Sequence, residues 1–172
     1  MLVRPRRTAT IRTRLDGPAV MERLSALVAA PVPEGMSRLM AKGYFLGGGS
    51  VATSDFNVEY HFNNLKNAQT YTVDGVLEET PEWRVLRLTL TARDPWIAWW
   101  MLVLIALVSA VATLGGARTG AGVMLFLFVV AVVAVANLFY IPDVVADRVS
   151  RQVASAVRGS ILRNGQWMVP PD

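Results

Sequence analysis

Three carboxylates that lie close together in the chain are the first candidates for chemistry. Glu78, Glu79 and Glu82 flank Pro81, and a pair of carboxylates can act as acid and base when burial separates their pKa values. A proline between two strand-like segments marks a turn, and turns expose their side chains to water. The sequence therefore favours a solvated hairpin end over a catalytic pair.

The chain offers few residues for metal binding or nucleophilic catalysis. His61 is the only histidine and there is no cysteine, whereas a metal site needs several ligands in concert. A serine nucleophile needs a neighbouring base, and no serine stands in a Gly-x-Ser-x-Gly sequence. We therefore predict that the protein is not an enzyme and has no catalytic residue, cofactor-binding residue or metal ligand.

Two glycine-rich stretches raise the question of phosphate binding. Residues 47–50 read GGGS and residues 114–122 read LGGARTGAG. A phosphate-binding loop needs the order Gly-x-x-x-x-Gly-Lys-Ser/Thr, in which the lysine contacts the phosphates. Neither stretch has that lysine, so the first predicts a strand bulge or turn and the second predicts a reversal of the chain.

Two uncharged segments predict membrane-spanning helices. Of the 172 residues, 53% are hydrophobic and 17% are charged, and the segments 96–114 and 121–141 contain no charge at all. A helix that crosses the hydrocarbon core of a bilayer needs about 20 apolar residues. The segments are joined by a short connection, so we predict a transmembrane hairpin over 95–142 with an outer turn at 115–120.

Arginine and aromatic residues predict the orientation of this hairpin. Arginines flank its entry and follow its exit, while Arg118 is alone in the turn, and positive residues favour cytoplasmic loops. We predict a multi-pass protein of the bacterial cytoplasmic (inner) membrane with both termini in the cytoplasm. The residues expected at the membrane interface or in partner contacts are Trp96, Trp99, Trp100, Arg118, Phe139, Tyr140, Arg148 and Arg151.

The segment 1–94 predicts a small cytoplasmic α+β domain. A strand pattern at 8–15 precedes Asp16, which is expected to cap a helix, and Pro18, which is expected in the first turn of that helix. Four further segments alternate polar and apolar residues and predict an antiparallel meander with a short turn near Pro81.

The segment 143–172 predicts a basic amphipathic helix and a tail. Valines recur at every fourth residue from Val145 to Val157, arginines lie on another face, and the helix is expected to end near Asn164-Gly165. Two placements are open. The helix lies on anionic lipid headgroups, or it covers the open face of the sheet, which we favour because the sheet needs a cover.

Residues 47–100 resemble a loose group of uncharacterised bacterial membrane proteins. In that group a glycine precedes a pair of strands, and a Gly-x-(Ile/Val/Leu)-x-Glu strand follows, here Gly75 to Glu79. A further strand then leads into a helical hairpin. The resemblance implies a strand-rich cytoplasmic domain followed by a two-helix transmembrane hairpin, and it implies no active site.

Together these features predict an α+β membrane protein, in which a small antiparallel sheet with one or two helices is joined to a two-helix transmembrane hairpin. We expect a non-enzymatic accessory or scaffolding subunit that stabilises a larger membrane protein complex, with respiratory and light-harvesting complexes as candidate hosts. The expected partners are the lipid bilayer and other membrane protein subunits, without nucleic acid or cofactor. The alternative is a membrane-proximal sensor that binds a lipid or another ligand in a basic cleft lined by Arg84, Arg87, Arg148 and Arg151.

Overall fold

An antiparallel sheet of seven strands organises the described part of the chain. The computed structural model describes residues 6–32, 43–64, 67–93, 100, 103–106, 121–136 and 140–169. The strands are β1 (Arg6–Thr13), β2 (Gly43–Val51), β3 (Asp55–Asn64), β4 (Asn67–Glu79), β5 (Arg84–Ala92), β6 (Ser160–Arg163) and β7 (Gln166–Met168). Their order is β2-β3-β4-β5-β1-β6-β7, so β1 lies between strands from two distant parts of the chain.

Alternation of side chains gives the sheet one apolar face. In β3, β4 and β5 every second residue is buried on the same side, which we call the inner face; the opposite side is the outer face. The large buried side chains of these strands are Phe56, Val58, Tyr60, Phe62, Tyr71, Val73, Leu77, Leu86, Leu88 and Leu90. Strands β1 to β5 lie where the sequence predicts strands, because a period of two is typical of a sheet with one covered face.

Helix α1 (Gly17–Val28) begins as its sequence predicts. The Asp16 carboxylate occupies the N-cap position and accepts a hydrogen bond from the Ala19 amide, 2.9 Å away. Pro18 lies in the first turn, where its missing N–H costs nothing. The predicted cap and first-turn proline are confirmed, and the helix buries Val20, Met21 and Leu24 in the core beneath the inner face.

Helix α3 (Ile141–Ala156) covers another part of the inner face. Its buried valines share one core with the strands. The Thr13 hydroxyl donates to the Val157 carbonyl at 2.7 Å, and Arg7 forms an ion pair with Asp143, so β1 is bound near both ends of the helix. The sequence leaves two placements of this helix open, on lipid headgroups or on the sheet, and in the structure the helix covers the sheet.

The segment after α3 differs from its prediction. The sequence predicts a helix that continues to Asn164-Gly165, but the helix ends at Ala156 and Arg158 adopts a left-handed φ of 48°. Strands β6 and β7 then form a hairpin whose turn is Asn164-Gly165, with φ values of 48° and 77°. Asn-Gly favours this turn because both residues must adopt positive φ. The predicted helix end is therefore wrong.

Two glycines of the sheet lie against aromatic side chains. Gly75 pairs with Phe56 across the β3–β4 ladder, and a Cβ atom at Gly75 would collide with the Phe56 ring. A Cβ atom at Gly43 would collide with the Tyr60 hydroxyl, while the Tyr60 ring packs edge-to-face on Phe45 with centroids 5.0 Å apart. Each aromatic side chain fills the space that a side chain on the neighbouring strand would occupy.

The predicted transmembrane hairpin is wrong. Within the described residues, no helix combines the length and the apolar character needed to cross a bilayer. Helix α2 (Ala121–Val135) has 15 residues, which at 1.5 Å per residue gives about 22 Å, less than the hydrocarbon core of about 30 Å. The last residue of the predicted span, Ile141, instead begins α3 and is buried in the core of the sheet. The fold class of an α+β membrane protein with a two-helix transmembrane hairpin is therefore overturned.

The same finding overturns the predicted localisation as a multi-pass protein of the inner membrane with cytoplasmic termini. The physical reason is that an uncharged segment is stable in any apolar environment, whether a bilayer or a protein core. The last residue of the second segment, Ile141, is buried in the core of the sheet. Residues 100 and 103–106 of the first predicted span are helical. The rest of that span and the turn at 115–120 lie outside the described residues, and the boundary predicted at 142–143 falls inside α3.

Candidate functional site

A cavity of about 440 Å³ lies between the helices that cover the sheet and the edge strand β2. This volume is within the range of about 300–1,000 Å³ that is usual for small-molecule sites. Its lining comes from the end of α1, the start of β2 and the last turn of α3: Leu27, Ala30, Pro31, Gly43, Tyr44, Phe45, Gln152, Ser155 and Ala156.

Local sequence explains why the three elements leave this space. Helix α1 ends at Val28, and Pro31 cannot continue a helix because it lacks a backbone donor. Gly43 begins β2 and contributes only backbone atoms to the cavity wall. The Arg23 guanidinium on α1 donates to the Ala156 carbonyl at 3.1 Å. This hydrogen bond holds the end of α3 against α1 beside the edge strand.

Two buried polar atoms, one in the cavity lining and one behind it, have no hydrogen-bond partner within the described part of the chain. One is Oε1 of Gln152, a lining residue. The other is the hydroxyl oxygen of Tyr60, a fully buried side chain whose hydroxyl lies against Gly43 in the cavity wall. An unpaired buried polar group lowers the stability of a fold by about 1–3 kcal/mol. A water molecule or a ligand is therefore expected to form a hydrogen bond with each of these atoms.

Burial and one arginine set the electrostatics around Tyr60. Burial raises the pKa of Tyr60 to about 12, and the positive charge of Arg148 opposes the rise. The Arg148 guanidinium lies over the Phe62 ring, 5.6 Å from its centroid, about one helical turn before Gln152. At neutral pH the Tyr60 hydroxyl is therefore protonated and can donate or accept, close to a fixed positive charge.

The buried tyrosines predict a loss of stability at alkaline pH. Burial raises the pKa of Tyr60 to about 12 and also raises the pKa of Tyr71, whereas the unfolded chain releases these protons near pH 10. A folded-state pKa above the unfolded value stabilises the fold fully below pH 10. That stabilisation is lost as the pH rises from about 10 through about 12.

Chemical denaturation between about pH 9 and about pH 12 measures this loss. We expect the free energy of unfolding to fall by about 1.4 kcal/mol per pH unit for each buried tyrosine. Tyr60→Phe should reduce this slope by the contribution of one buried tyrosine, and Tyr140→Phe, which alters an exposed tyrosine, is the matched control. Equal slopes in Tyr60→Phe and the wild type would contradict the assignment.

The structure describes four of the eight residues predicted for interface or partner contacts. Trp100 and Tyr140 are 63% and 69% exposed. Arg151 pairs with Asp147 of its own helix at 2.9 Å, and Arg148 lies beside the cavity residues. The other four lie outside the described residues: Trp96, Trp99, Arg118 and Phe139.

The structure does not assemble the predicted basic cleft. Arg84 and Arg87 pair with Glu79 and Glu78 at the β4–β5 end, each at 3.0 Å. Arg87 is on the outer face, while the two arginines of the cleft that belong to α3 lie on the other side of the sheet. The glutamates around the turn are exposed, as a hairpin end requires.

His61 lies on the outer face and does not line the cavity. Its Nδ1 is 3.4 Å from the Thr70 hydroxyl oxygen, and its ring lies 5.2 Å from that of Tyr44. Within the residues that the structure describes, no group of three or more histidine, aspartate or glutamate side chains could hold a metal ion.

Sequence reasoning did not single out Gly43, Tyr60 or Gln152. The alternation in β3 places Tyr60 among buried residues, where a hydroxyl needs a partner, and this is the signal that could have identified it. Gln152 stands next to Val153 in an amphipathic helix, so its exposure cannot be judged without knowing what the helix covers. The contact between Gly43 and Tyr60 depends on strand register, which is a tertiary property.

Comparison with known proteins adds no assignment. No family model, no curated protein and no solved structure matches the chain. The resemblance to a group of bacterial membrane proteins stays untested, and the function has to be argued from the cavity.

Proposed function

We propose that this protein is a non-enzymatic binding module that holds a small, largely apolar molecule in the cavity between α1, α3 and β2. The observation that carries the proposal is the unpartnered buried Oε1 of Gln152 in the lining of a cavity of ligand size. The Tyr60 hydroxyl, which is also unpartnered, lies behind the lining residue Gly43. Small-molecule sites combine apolar walls with a few fixed polar groups. The proposal keeps the ligand-binding alternative drawn from the sequence and moves it to different residues.

The lining defines the chemistry of the ligand. Gln152 Oε1 is an acceptor, so the ligand should offer an O–H or N–H group. The nearby charge of Arg148 favours an electronegative atom there. The side chains of Leu27 and Phe45 suit an aliphatic or aromatic body. An alcohol, an amide or an arylamine with an apolar body meets these requirements.

Fluorescence titration with anilinonaphthalene sulfonate tests this function. The probe combines apolar rings with an N–H donor and an anionic acceptor. We expect saturable binding that Ala30→Trp weakens at least about tenfold, because the indole fills the cavity beside Pro31. Gln152→Leu should weaken binding by about two- to tenfold, since one hydrogen bond is worth about 0.5–1.5 kcal/mol.

Ala26→Trp is the matched control, because Ala26 is an exposed residue in the last turn of α1, one turn before Ala30, and does not line the cavity. The probe also binds exposed apolar surface elsewhere, and that component is common to all variants. Saturable binding that is equal in Ala30→Trp, Ala26→Trp and the wild type would contradict the proposal.

A second candidate function is the accessory subunit predicted from the sequence, and helix α2 favours it. Phe128 is 66% exposed, and its neighbours Val129, Val132 and Val135 are also exposed. A contiguous apolar surface of this kind is typical of a protein interaction site. In this function α2 packs against another subunit of an assembly. Purification under mild conditions in which the chain migrates without a co-purifying protein would contradict it.

A further inference from the structure

Apart from Arg93, which pairs with Glu59, the charged residues on the outer face of the sheet separate into two halves. Strands β3 and β4 contribute the acidic half, which consists of Asp55, Glu59, Asp74 and Glu78. Strands β1 and β5, with the residue that follows β1, contribute the basic half, which consists of Arg6, Arg12, Arg14 and Arg87. The helices that pack on the sheet, α1 and α3, lie on its inner face.

One row of cross-strand neighbours shows the separation most clearly. Glu59 is opposite Thr72, Thr72 is opposite Thr91, and Thr91 is opposite Arg6. Neighbouring strands lie about 4.8 Å apart, so the two ends of this row are about 14 Å apart. Glu59 and Arg6 therefore cannot neutralise each other within one chain, although Glu59 does accept a hydrogen bond from Arg93 at 2.5 Å.

Much of this charge has no oppositely charged partner among the residues that the structure describes. Within the described ranges, five members of the two halves take part in no ion pair: Arg6, Arg12, Arg14, Asp55 and Asp74.

The basic half also carries an aromatic cluster. The Arg12 guanidinium lies between the rings of Trp83 and Trp167, at 4.7 and 4.4 Å from their centroids, and Arg14 lies over Trp83. Tryptophan and arginine are enriched in protein interfaces. This face therefore combines two features of a contact surface: residues of the type that interfaces favour, and charges that need partners.

We propose that the outer face binds a second copy of this chain, around a two-fold axis that lies in the interface and runs parallel to the strands between β4 and β5. This axis places β3 of one copy over β1 of the other, so the acidic half of each copy meets the basic half of its partner. Glu59 then faces the partner's Arg6, twice in the dimer. A two-fold axis across the strands would place like charges opposite each other, which is unfavourable.

The size of the face fits a weak, reversible dimer. Four strands at about 4.8 Å spacing and roughly eight residues at about 3.3 Å each give a face of about 500 Å². Two such faces bury about 1,000 Å², which is at the lower end of specific interfaces. The dimer should therefore depend on protein concentration, and on salt because its charges lie near solvent.

Sedimentation equilibrium of the full chain tests the proposal. We expect a monomer–dimer equilibrium that weakens between about 0.05 M and about 0.5 M NaCl. Arg6→Glu and Glu59→Arg should each weaken self-association at least about tenfold, because each places like charges opposite each other twice. An equimolar mixture of the two variants should recover the dimer, since both contacts are then of opposite charge. Glu22→Arg, an equal change of charge on α1, should have no effect.

Several outcomes overturn the proposal. They are a wild type that stays monomeric at all concentrations, an Arg6→Glu variant that dimerises like the wild type, or folded variants whose mixture does not recover the dimer. Association that salt strengthens also overturns it, because that behaviour indicates contact through the apolar surface of α2. Circular dichroism confirms that each variant is folded. The cavity lies on the inner face, so this result is independent of the probe titration.

Discussion

Replacing Gly75 with valine should lower the free energy of unfolding by about 3 kcal/mol or more, enough to unfold a marginally stable domain. The new side chain would occupy the space of the Phe56 ring, which is buried on the neighbouring strand. Neither residue can move away cheaply. Gly75 is held by ladder partners on both sides, Phe56 in β3 and Leu88 in β5, and packed interiors relax only slightly around an oversized side chain.

A second-site change separates this collision from a general effect on the strand. Phe56→Ala removes the ring and should itself cost about 3–5 kcal/mol. The double variant should be less destabilised than the sum of the two single changes, by at least about 1 kcal/mol, because the valine then fills part of the cavity. Urea denaturation of the four proteins measures the coupling. Additive effects would show that the ring does not occupy the space over Gly75.

Placing a carboxylate at Val149 should be comparably destructive. Val149 is fully buried between α3 and the sheet. Its replacement by aspartate removes apolar contacts and buries a charge without a partner, at a cost on the order of 3–5 kcal/mol. The expected result is a large drop in the midpoint of thermal or urea unfolding, or failure to fold. The experiment directly tests whether α3 covers the sheet.

Ser155→Asp provides the control on the same helix. It adds the same carboxylate at an exposed position near the end of α3 and should cost less than about 1 kcal/mol, chiefly through the helix dipole. If Val149→Asp were as mild as Ser155→Asp, α3 would not pack against the sheet as described. Such a result would also remove the wall that contains Gln152.

The strands and the start of α1 could be predicted because their signals are local. Alternation marks β1 to β5, and Asp16 with Pro18 marks the first turn of a helix. The Asn164-Gly165 hairpin carries an equally local signal. It was missed because the valine spacing of α3 suggests that the helix continues, and a period of four also fits Ile161, which in the structure lies in β6.

The uncharged segment from Ala121 to Ile141 shows that apolar composition does not identify the environment in which a segment is buried. Apolar composition predicts removal from water, but the same composition serves a bilayer, a partner protein or the core of a sheet. In this chain the run divides between α2 and the start of α3. Only the tertiary structure reveals that Ile141 is buried in the core of the sheet.

The cavity could not be predicted from the chain in the same way. It depends on the distance between α1 and α3, on the register that brings Gly43 against Tyr60, and on an Arg23–Ala156 hydrogen bond between residues far apart in sequence. None of these follows from local pattern. The sequence could have flagged Tyr60 as a buried hydroxyl in need of a partner, but not the identity of that partner.

The place of β1 in the sheet constrains how the chain acquires its structure on the ribosome. Strands β2 to β5 pair in sequence order and can close as soon as each emerges, whereas β1, among the described strands, pairs with β5 and β6. Both edges of β1 therefore remain unpaired until β5 and β6 have been synthesised. Pairing between distant segments is slow, and an unpaired strand edge invites association with other chains. Insertion of β1 should therefore be a late step of folding, and nascent chains that stop short of β5 should be substrates for chaperones.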